Sequence, residues 1–235
     1  MSIVTSILQG AAGVVGVRSG TEEPRFEVLE RIGEAVEIRR YGPRLAADVT
    51  VAADEMAARS VGFRRLARFI FGANRARDTI AMTAPVTVAP GAGGSEGQGG
   101  AGGSARIAMT APVTVVPADT AAWSTAESAS DARSGGDPPR WTIRFFMPEK
   151  FTRETLPVPN DAGIAIVEVP AETVAVIRFA GSTAPEAVQH QARLLTRILK
   201  TSAWRAVGAP VAQFYDPPWT LPPLRRNEVA QRVER

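Results

Sequence analysis

The side chains that usually carry catalysis or bind metals are scarce in this sequence. It contains a single histidine, His190, and no cysteine. Cysteine nucleophiles, disulfides and iron–sulfur clusters are therefore excluded, and a Ser-His-Asp triad or a multi-histidine metal site is nearly so. The carboxylates Glu149, Glu154 and Asp161 are scattered through one turn-rich segment, which is not the arrangement of a general acid–base pair. These residue types favour a binding protein over an enzyme.

Cations and aromatic rings are instead concentrated in one short stretch, DEMAARSVGFRRLARFIFG. Arg64, Arg65 and Arg68 lie on one face of the predicted helix, and Phe69 and Phe71 lie outside its apolar stripe. An exposed aromatic patch bordered by arginines can form a binding groove. The alternative is that the arginines are only a solvated helix face. The residues predicted to face inward, at helical spacing, are Met56, Phe63, Leu66, Ala67 and Ile70.

The overall composition is that of an ordinary soluble globular protein, with 45% hydrophobic and 22% charged residues. A net charge of +3 gives no argument for nucleic-acid binding. The first residues, MSIVTSILQGAAGVVGVRSG, lack a basic n-region and a clear cleavage site, and they are too weakly hydrophobic to span a membrane convincingly. We therefore expect a poorly ordered lead-in or short helix at 1–22, no stable membrane insertion, and a soluble, monomeric, cytoplasmic protein.

Alternating apolar and polar residues predict strands on both sides of the arginine-rich helix. WTIRFFMP is a strand that ends at Pro148, and IAIVEVPAETVAVIRFAG indicates two strands joined by a Pro-Ala-Glu turn. Three earlier strands are predicted at 26–31, 35–41 and 45–51.

A second helix is predicted in STAPEAVQHQARLLTRILK. Thr183 and Glu186 have the spacing of a capping box, and Pro185 falls in the first turn. Its inward stripe consists of Ala187, Val188, Gln191, Leu194, Leu195 and Ile198.

One segment is written twice, as IAMTAPVTVAP from Ile80 and as IAMTAPVTVVP from Ile107. Folded back on each other, the copies place an apolar residue opposite an apolar residue at every second position, for example Ile80 opposite Val115. The sequence therefore predicts two antiparallel neighbouring strands joined by a long Gly-rich loop. The prolines at Pro85 and Pro112 must then lie where the ladder needs no N–H, or at a bulge.

Strands, a helix and strands thus occur twice in succession. This order predicts an α+β fold, a distorted antiparallel β-barrel or sheet with two helices packed on it and a pseudo-twofold repeat of strand–helix–strand units. We predict a single domain from 23 to 235 with flexible loops at 91–104 and 118–139. About 180 residues remain outside the loops and lead-in, which is enough for one core.

Several motifs in this order resemble one family. They are EIRRYGPRLAADV, the helix followed by GANRARDTIAMTAPVT, FFMPEKFTRETLPVPND, VAVIRFAG and FYDPPWTLPPLRRNEV. The chain resembles the SOUL haem-binding family, in its bacterial form with the doubled IAMTAPV. The resemblance implies a distorted antiparallel barrel with two helices, and non-covalent binding of haem or a related tetrapyrrole as a carrier, buffer or sensor.

The resemblance also implies a place for the ligand. Haem is an apolar plate with two carboxylates at one edge, so its site needs an apolar surface and nearby cations. In the family the groove is associated with the first helix and the strands beside it. On this sequence, the implied haem-binding residues are Ser60, Phe63, Arg64, Ala67, Arg68 and Phe71.

His190 is the histidine that could serve as an axial iron ligand, but it lies at the border of its helix's inner stripe, as a surface histidine would. Tyr41 and Tyr215 offer phenolates, although Tyr215 fits a packing role. In the RRNEV motif a structural role is favoured, with Asn227 and Glu228 bonding to the backbone of the preceding loop and the arginines pairing with nearby Glu or Asp. Two other classes stay open. One is a binding module for another hydrophobic molecule or a protein partner, similar to gyrase-inhibitor-like domains, and the other is an enzyme acting on tetrapyrroles.

Overall fold

A computed structural model of the chain describes residues 22–76, 104–108, 110–118, 138–216 and 220–235. Within these ranges the chain forms two α-helices, α1 (Glu55–Ile70) and α2 (Pro185–Leu199), and a short 3₁₀ helix at Pro222–Leu224. The strands are β1 (Phe26–Ile32), β2 (Val36–Tyr41), β3 (Arg44–Ala52), β4 (Asn74–Arg75), β5 (Val113–Pro117), β6 (Arg140–Phe146), β7 (Val158–Pro159), β8 (Ile164–Val169), β9 (Glu172–Phe179), β10 (Arg205–Ala206), β11 (Val211–Phe214) and β12 (Asn227–Glu234).

The main sheet is a curled, antiparallel half-barrel. Its strand order is β1-β2-β9-β12-β11-β5-β6-β3-β8, with β10 added beside β12. The short strands β4 and β7 pair separately. The predicted antiparallel α+β architecture with two helices is therefore confirmed.

The pseudo-twofold repeat is visible in the strand order. Leaving out β1 and the two-residue strands, the chain consists of two successive units, β2-β3-α1-β5-β6 and β8-β9-α2-β11-β12. The spatial order β8-β3-β6-β5 of one half is repeated as β2-β9-β12-β11 in the other, and the halves join where β5 pairs with β11. The first strand of each unit has crossed over, because β2 pairs with β9 and β8 pairs with β3.

Both helices pack on the same face of this sheet. Val229, which packs beside α2, lies opposite Ala212 on the next strand. Ala212 lies opposite Val115, and Val115 lies opposite Ile143, which packs beside α1. Residues directly opposite each other on antiparallel strands point to the same side. One helix-covered face therefore holds two apolar cores, and the opposite, helix-free face carries most of the buried charges.

Three residues of the local sequence determine where α1 begins, how closely it packs on the sheet and how the chain leaves it. Asp54 is the N-cap, and its side chain accepts a hydrogen bond from the Ala57 N–H at 3.0 Å. Gly62 faces Ile143 so closely that a Cβ at this position would lie 2.7 Å from the isoleucine side chain. Gly72 follows the helix with a positive φ of 119°, a conformation that glycine adopts without strain.

Some details of the predicted helices are wrong. Met56 is 47% exposed, whereas Phe69 is 1% exposed and belongs to the core, so the buried stripe of α1 is rotated from the predicted one. At α2, Pro185 does occupy the first turn, but the N-cap is Ala184 with no side-chain cap. The predicted capping box of Thr183 does not form, because the first turn begins one residue later than that motif requires.

The predicted strands outside the repeated segment are confirmed to within one or two residues, but not all of the predicted pairings. The first copy of the repeat, like most of the predicted loops and the lead-in, lies outside the described residues. The second copy forms a strand only at Val113–Pro117, and β6 and β11 occupy its two edges. The predicted pairing of Val113 and Val115 with the first copy is therefore wrong.

Candidate functional site

The predicted binding residues of α1 lie mostly on its outward face. Ser60, Arg64 and Arg68 are exposed, and the Phe71 ring is 56% exposed at the end of the helix. At about 100° per residue, Phe71 falls about 20° from Arg64 around the helix axis, and Arg68 about 40° on the other side. The buried residues Gly62 and Leu66 are centred on the opposite side. A ring and two guanidinium groups therefore share one solvent-facing strip.

Phe63 and Ala67 are less exposed than the other predicted residues. The Phe63 ring packs edge-on against Phe145 of β6, with centroids 5.6 Å apart. It contributes to the core beneath α1 rather than lying fully on the outward strip. Ala67 is partly buried beside it. The structure thus brings together four of the six predicted residues and places Phe63 mainly in a packing role.

The arginines of α1 divide into paired and unpaired groups. Arg59 pairs with Glu55, and Arg65 forms a bidentate ion pair with Asp161, with N–O distances of 2.7 and 2.6 Å. The hydrogen bonds from Arg65 lower the pKa of Asp161 to about 2. Arg64 and Arg68 form no ion pair with any carboxylate in the described parts of the chain. The two guanidinium groups nearest Phe71 therefore have their donors available.

His190 lies on α2 in an exposed position, away from the residues that pack α2 on the sheet. Among the described residues, no cluster of three or more histidine or acidic side chains could hold a metal ion. Neither described helix is long and apolar enough to cross a membrane.

A buried ionic cluster, which the sequence motifs did not reveal, lies on the helix-free face. Glu228 of β12 is completely buried, and it accepts hydrogen bonds from Arg39 at 2.9 Å, Arg226 at 2.9 Å and the Tyr215 hydroxyl at 2.7 Å. Arg39 also lies 4.4 Å from the Phe26 ring centroid. Burial alone would raise the pKa of Glu228, but the attraction and hydrogen bonds of Arg39 outweigh it and lower that pKa. The carboxylate is saturated with donors, and its bond to Arg39 links β2 to β12 across the intervening strand β9.

A second buried pair on this face is less well compensated. Arg44 pairs with Glu172, and its guanidinium lies 4.2 Å from the Tyr41 ring and 4.4 Å from the Phe146 ring. The Nε of Arg44 has no hydrogen-bond partner in the described structure. Burial is the largest influence on both groups, and it lowers the pKa of Arg44 and raises that of Glu172.

A row of polar residues in register runs across the sheet from Glu228 to Asp48. Gln213 on β11 lies opposite Glu228 on one side and Thr114 on the other, and Thr114 lies opposite Arg144. Arg144 is bound to Asp48 at 2.7 and 2.6 Å. In the middle of the row, Gln213 Oε1 and Thr114 Oγ1 are buried without a hydrogen-bond partner among the described residues. Such a pair of atoms can accept hydrogen bonds from a water molecule or from a small donor group.

The sequence contained only weak signals for these buried groups. Arg39 and Glu228 are separated by 189 residues, so no local spacing connects them. The expectation that Asn227 and Glu228 would bond to the backbone of the preceding loop is wrong. Glu228 binds the side chains of Arg226 and Tyr215, which lie in that loop, and of Arg39 on β2. Asn227 donates to the Gly181 carbonyl, in the loop after β9, at 3.4 Å.

A curled antiparallel sheet with two helices on one face and an exchanged pair of first strands defines a duplicated α+β fold class. The sequence model described as SOUL heme-binding protein matches residues 21–98 and 96–232. The chain therefore belongs to the SOUL heme-binding protein family, and its two matched segments agree with the internal repeat.

Among solved structures, the fold is similar to the EcmrR C-terminal domain, with a TM-score of 0.52 and 10% identity over 85% of this chain and 97% of that one. It is also similar to EcmrR in its cryo-EM complex with DNA, with a TM-score of 0.51 and 10% identity over 85% of this chain and 57% of that chain. At these identities the similarity concerns the fold alone. An uncharacterized conserved protein from Listeria innocua matches with a TM-score of 0.49 and 14% identity, over 85% and 92% of the two chains. No curated protein matches the sequence.

Proposed function

We propose that this protein binds haem or a related tetrapyrrole non-covalently on the outward strip of α1, as a carrier, buffer or sensor rather than as an enzyme. Membership of the SOUL family is the observation that carries the proposal. The strip supports it, because an exposed Phe71 ring lies beside two arginines without carboxylate partners in the described chain. A porphyrin would place its plane over the ring and its propionates against Arg64 and Arg68.

The residues present fit the porphyrin better than they fit its iron. The helix α1 contains no histidine or tyrosine, and the sulfur of Met56 accepts a hydrogen bond from Arg59 at 3.7 Å. Iron bound to the porphyrin would offer axial coordination positions, which no histidine or tyrosine of α1 could fill. We therefore expect haem and iron-free protoporphyrin to bind with similar affinity, because the ring and propionates provide the contacts.

The test is a fluorescence-quenching titration with haem, protoporphyrin and its dimethyl ester. Burying an aromatic side chain contributes about 1.5–3 kcal/mol, so Phe71→Ala should weaken binding by about tenfold to a hundredfold. Arg68→Glu should weaken binding of the free acids more than binding of the ester. Arg140→Glu, at an exposed strand position without an ion pair in the described chain, is the matched charge control. Unchanged affinity in both site variants, with unchanged melting temperature, would move the site away from α1.

A different small ligand is the second candidate, and the polar row on the helix-free face favours it. Gln213 Oε1 and Thr114 Oγ1 are buried acceptors that lack donors in the described structure. A ligand with an N–H or O–H group could satisfy them, whereas a porphyrin plate would not fit between paired strands. If Thr114→Val abolished ligand binding while Phe71→Ala did not change it, this candidate would replace the tetrapyrrole site on α1.

A further inference from the structure

The second helix is the internal counterpart of α1, and buried residues fix the alignment between them. Leu66 and Ile70 of α1 are 0% and 1% exposed, and Leu195 and Leu199 of α2 are 0% and 3% exposed. Both pairs are four residues apart, and the second member of each pair is the last residue of its helix. Each helix follows the second strand of its unit. Superposing these pairs therefore aligns the outward faces of the two helices as well.

In this alignment the two unpaired arginines of α1 occur again on α2. Arg64 corresponds to Arg193 and Arg68 corresponds to Arg197, and both α2 arginines are exposed. The aromatic position differs, because Phe71 corresponds to Lys200. The α2 strip therefore carries three cations where the α1 strip carries two cations and a ring.

The α2 strip also borders a shallow, open groove of about 470 Å³. Ala192, Thr196 and Pro210, the residue before β11, line it together with the cations Arg193, Arg197 and Lys200. This lining suits a molecule that carries several anionic groups.

The charges of the groove favour a negatively charged occupant. Arg193, Arg197 and Lys200 form no ion pair with any acidic side chain of the described residues. Two arginines four residues apart on a helix repel each other, and the lysine adds a third charge one turn further along. A ligand with several carboxylates would relieve this repulsion and make charge-assisted hydrogen bonds.

From this arrangement we propose that the α2 groove is a second tetrapyrrole site, which prefers porphyrins with more than two carboxylates. The proposal rests on the proposed function, since it takes the same ligand class as α1. The two sites differ in ligand preference because Lys200 of α2 provides a third cation where α1 has the aromatic ring of Phe71. The dicarboxylate porphyrin binds at the ring-bearing strip of α1, and the tetracarboxylate coproporphyrin binds at both helices.

The experiment compares coproporphyrin and protoporphyrin in fluorescence titrations of the full chain. Two double variants are matched in position and in charge change, Arg64→Glu with Arg68→Glu and Arg193→Glu with Arg197→Glu. For coproporphyrin we expect two equivalents per chain in the wild type, and one equivalent after either double variant. The affected site should weaken by at least about tenfold. The α2 double variant should leave protoporphyrin binding unchanged, and Lys200→Phe should add a second protoporphyrin equivalent.

The outcomes separate this inference from the proposed function. One coproporphyrin equivalent that is insensitive to the α2 double variant, but lost in the α1 double variant, would overturn the second site and leave the first intact. Absence of porphyrin binding in the wild type would overturn both. If the α2 double variant lowered the melting temperature, Arg193→Gln with Arg197→Gln would replace it, and an unchanged second equivalent there would also refute the site.

Discussion

Replacing Glu228 by glutamine should destabilise the fold severely. The carboxylate is completely buried and accepts hydrogen bonds from Arg39, Arg226 and Tyr215. Glutamine has nearly the same volume, but its amide NH₂ would face guanidinium donors and leave the buried Arg39 charge without its main counter-ion. Removing one partner of a buried ion pair costs about 3–5 kcal/mol, so Glu228→Gln should lower the free energy of unfolding by this amount at neutral pH.

The stability difference between the wild type and Glu228→Gln should depend on pH. The pKa of Glu228 is lower in the folded chain than its ordinary value of 4.5. Its ionisation therefore contributes stability that is fully present above the unfolded pKa and is lost as the pH falls through the folded pKa. The stability difference between the wild type and Glu228→Gln should be largest at pH 7 and should shrink in acid.

Glu172→Gln is the matched control, because Glu172 is also buried on the helix-free face beside an arginine. Burial raises its pKa above 4.5, so between the unfolded and folded pKa values the wild type loses stability as the pH rises. The advantage of the wild type over Glu172→Gln should therefore be largest in acid, opposite to Glu228→Gln. Arg44 keeps its two ring contacts, and we expect a smaller loss at pH 7 than in Glu228→Gln, of about 1–3 kcal/mol.

The assay is urea unfolding followed by circular dichroism, repeated at several pH values from 7 down to the acid limit of reversible folding. Free energies are compared at constant m-value. A loss below about 1 kcal/mol in Glu228→Gln would refute the reasoning, since a buried arginine cannot lose its counter-ion at so small a cost. Equal signs of the pH dependence in the two variants would refute it as well.

Three further predictions concern the helices. Gly62→Ala should cost about 1–3 kcal/mol, since its Cβ would lie 2.7 Å from Ile143, while Gly42→Ala, with no atom within 4 Å, should be neutral in the same urea assay. A stable Gly62→Ala would contradict the close approach of α1 to β6. Asp54→Ala should cost about 1 kcal/mol through loss of the N-cap, and Asp54→Ser should restore most of it; equal stability of all three proteins would exclude the cap. His190→Ala should leave the Soret band and affinity of bound haem unchanged, and an affinity about tenfold weaker would instead identify His190 as an iron ligand.

The sequence predicts the strands well because each strand has one face against an apolar core. Alternation sets the ends of β1, β2 and β3 to within one or two residues. The same alternation contains no information about which strand lies next to which. The segments that form β8 and β9 are joined by only two residues, yet they pair with different partners, β3 on one side and β2 with β12 on the other. A short turn between two strands favours a hairpin, and here the exchange of first strands overrides it.

The candidate site was predictable only where it depends on one helix. The spacing of Arg64, Arg68 and Phe71 already places them near one another, because a helix brings residues four and seven apart to one side. Neither the packing of Phe63 on Phe145 nor the pairing of Arg65 with Asp161 could be derived in this way. Both depend on chain segments far away in the sequence, which only the assembled sheet brings into contact.

The exchange of first strands has a consequence for the order in which the chain can fold during synthesis. Tyr41 ends β2, and its pairing partner Glu172 begins β9, about 130 residues later in the chain. At ribosomal rates of about 5–20 residues per second, the edge of β2 that pairs with β9 lacks its partner for roughly 7–26 s. During this interval β3 likewise lacks β8. Neither half can complete its own sheet, so a nascent chain that stops before β8 presents open strand edges, which are the surfaces that chaperones cover and that aggregation uses.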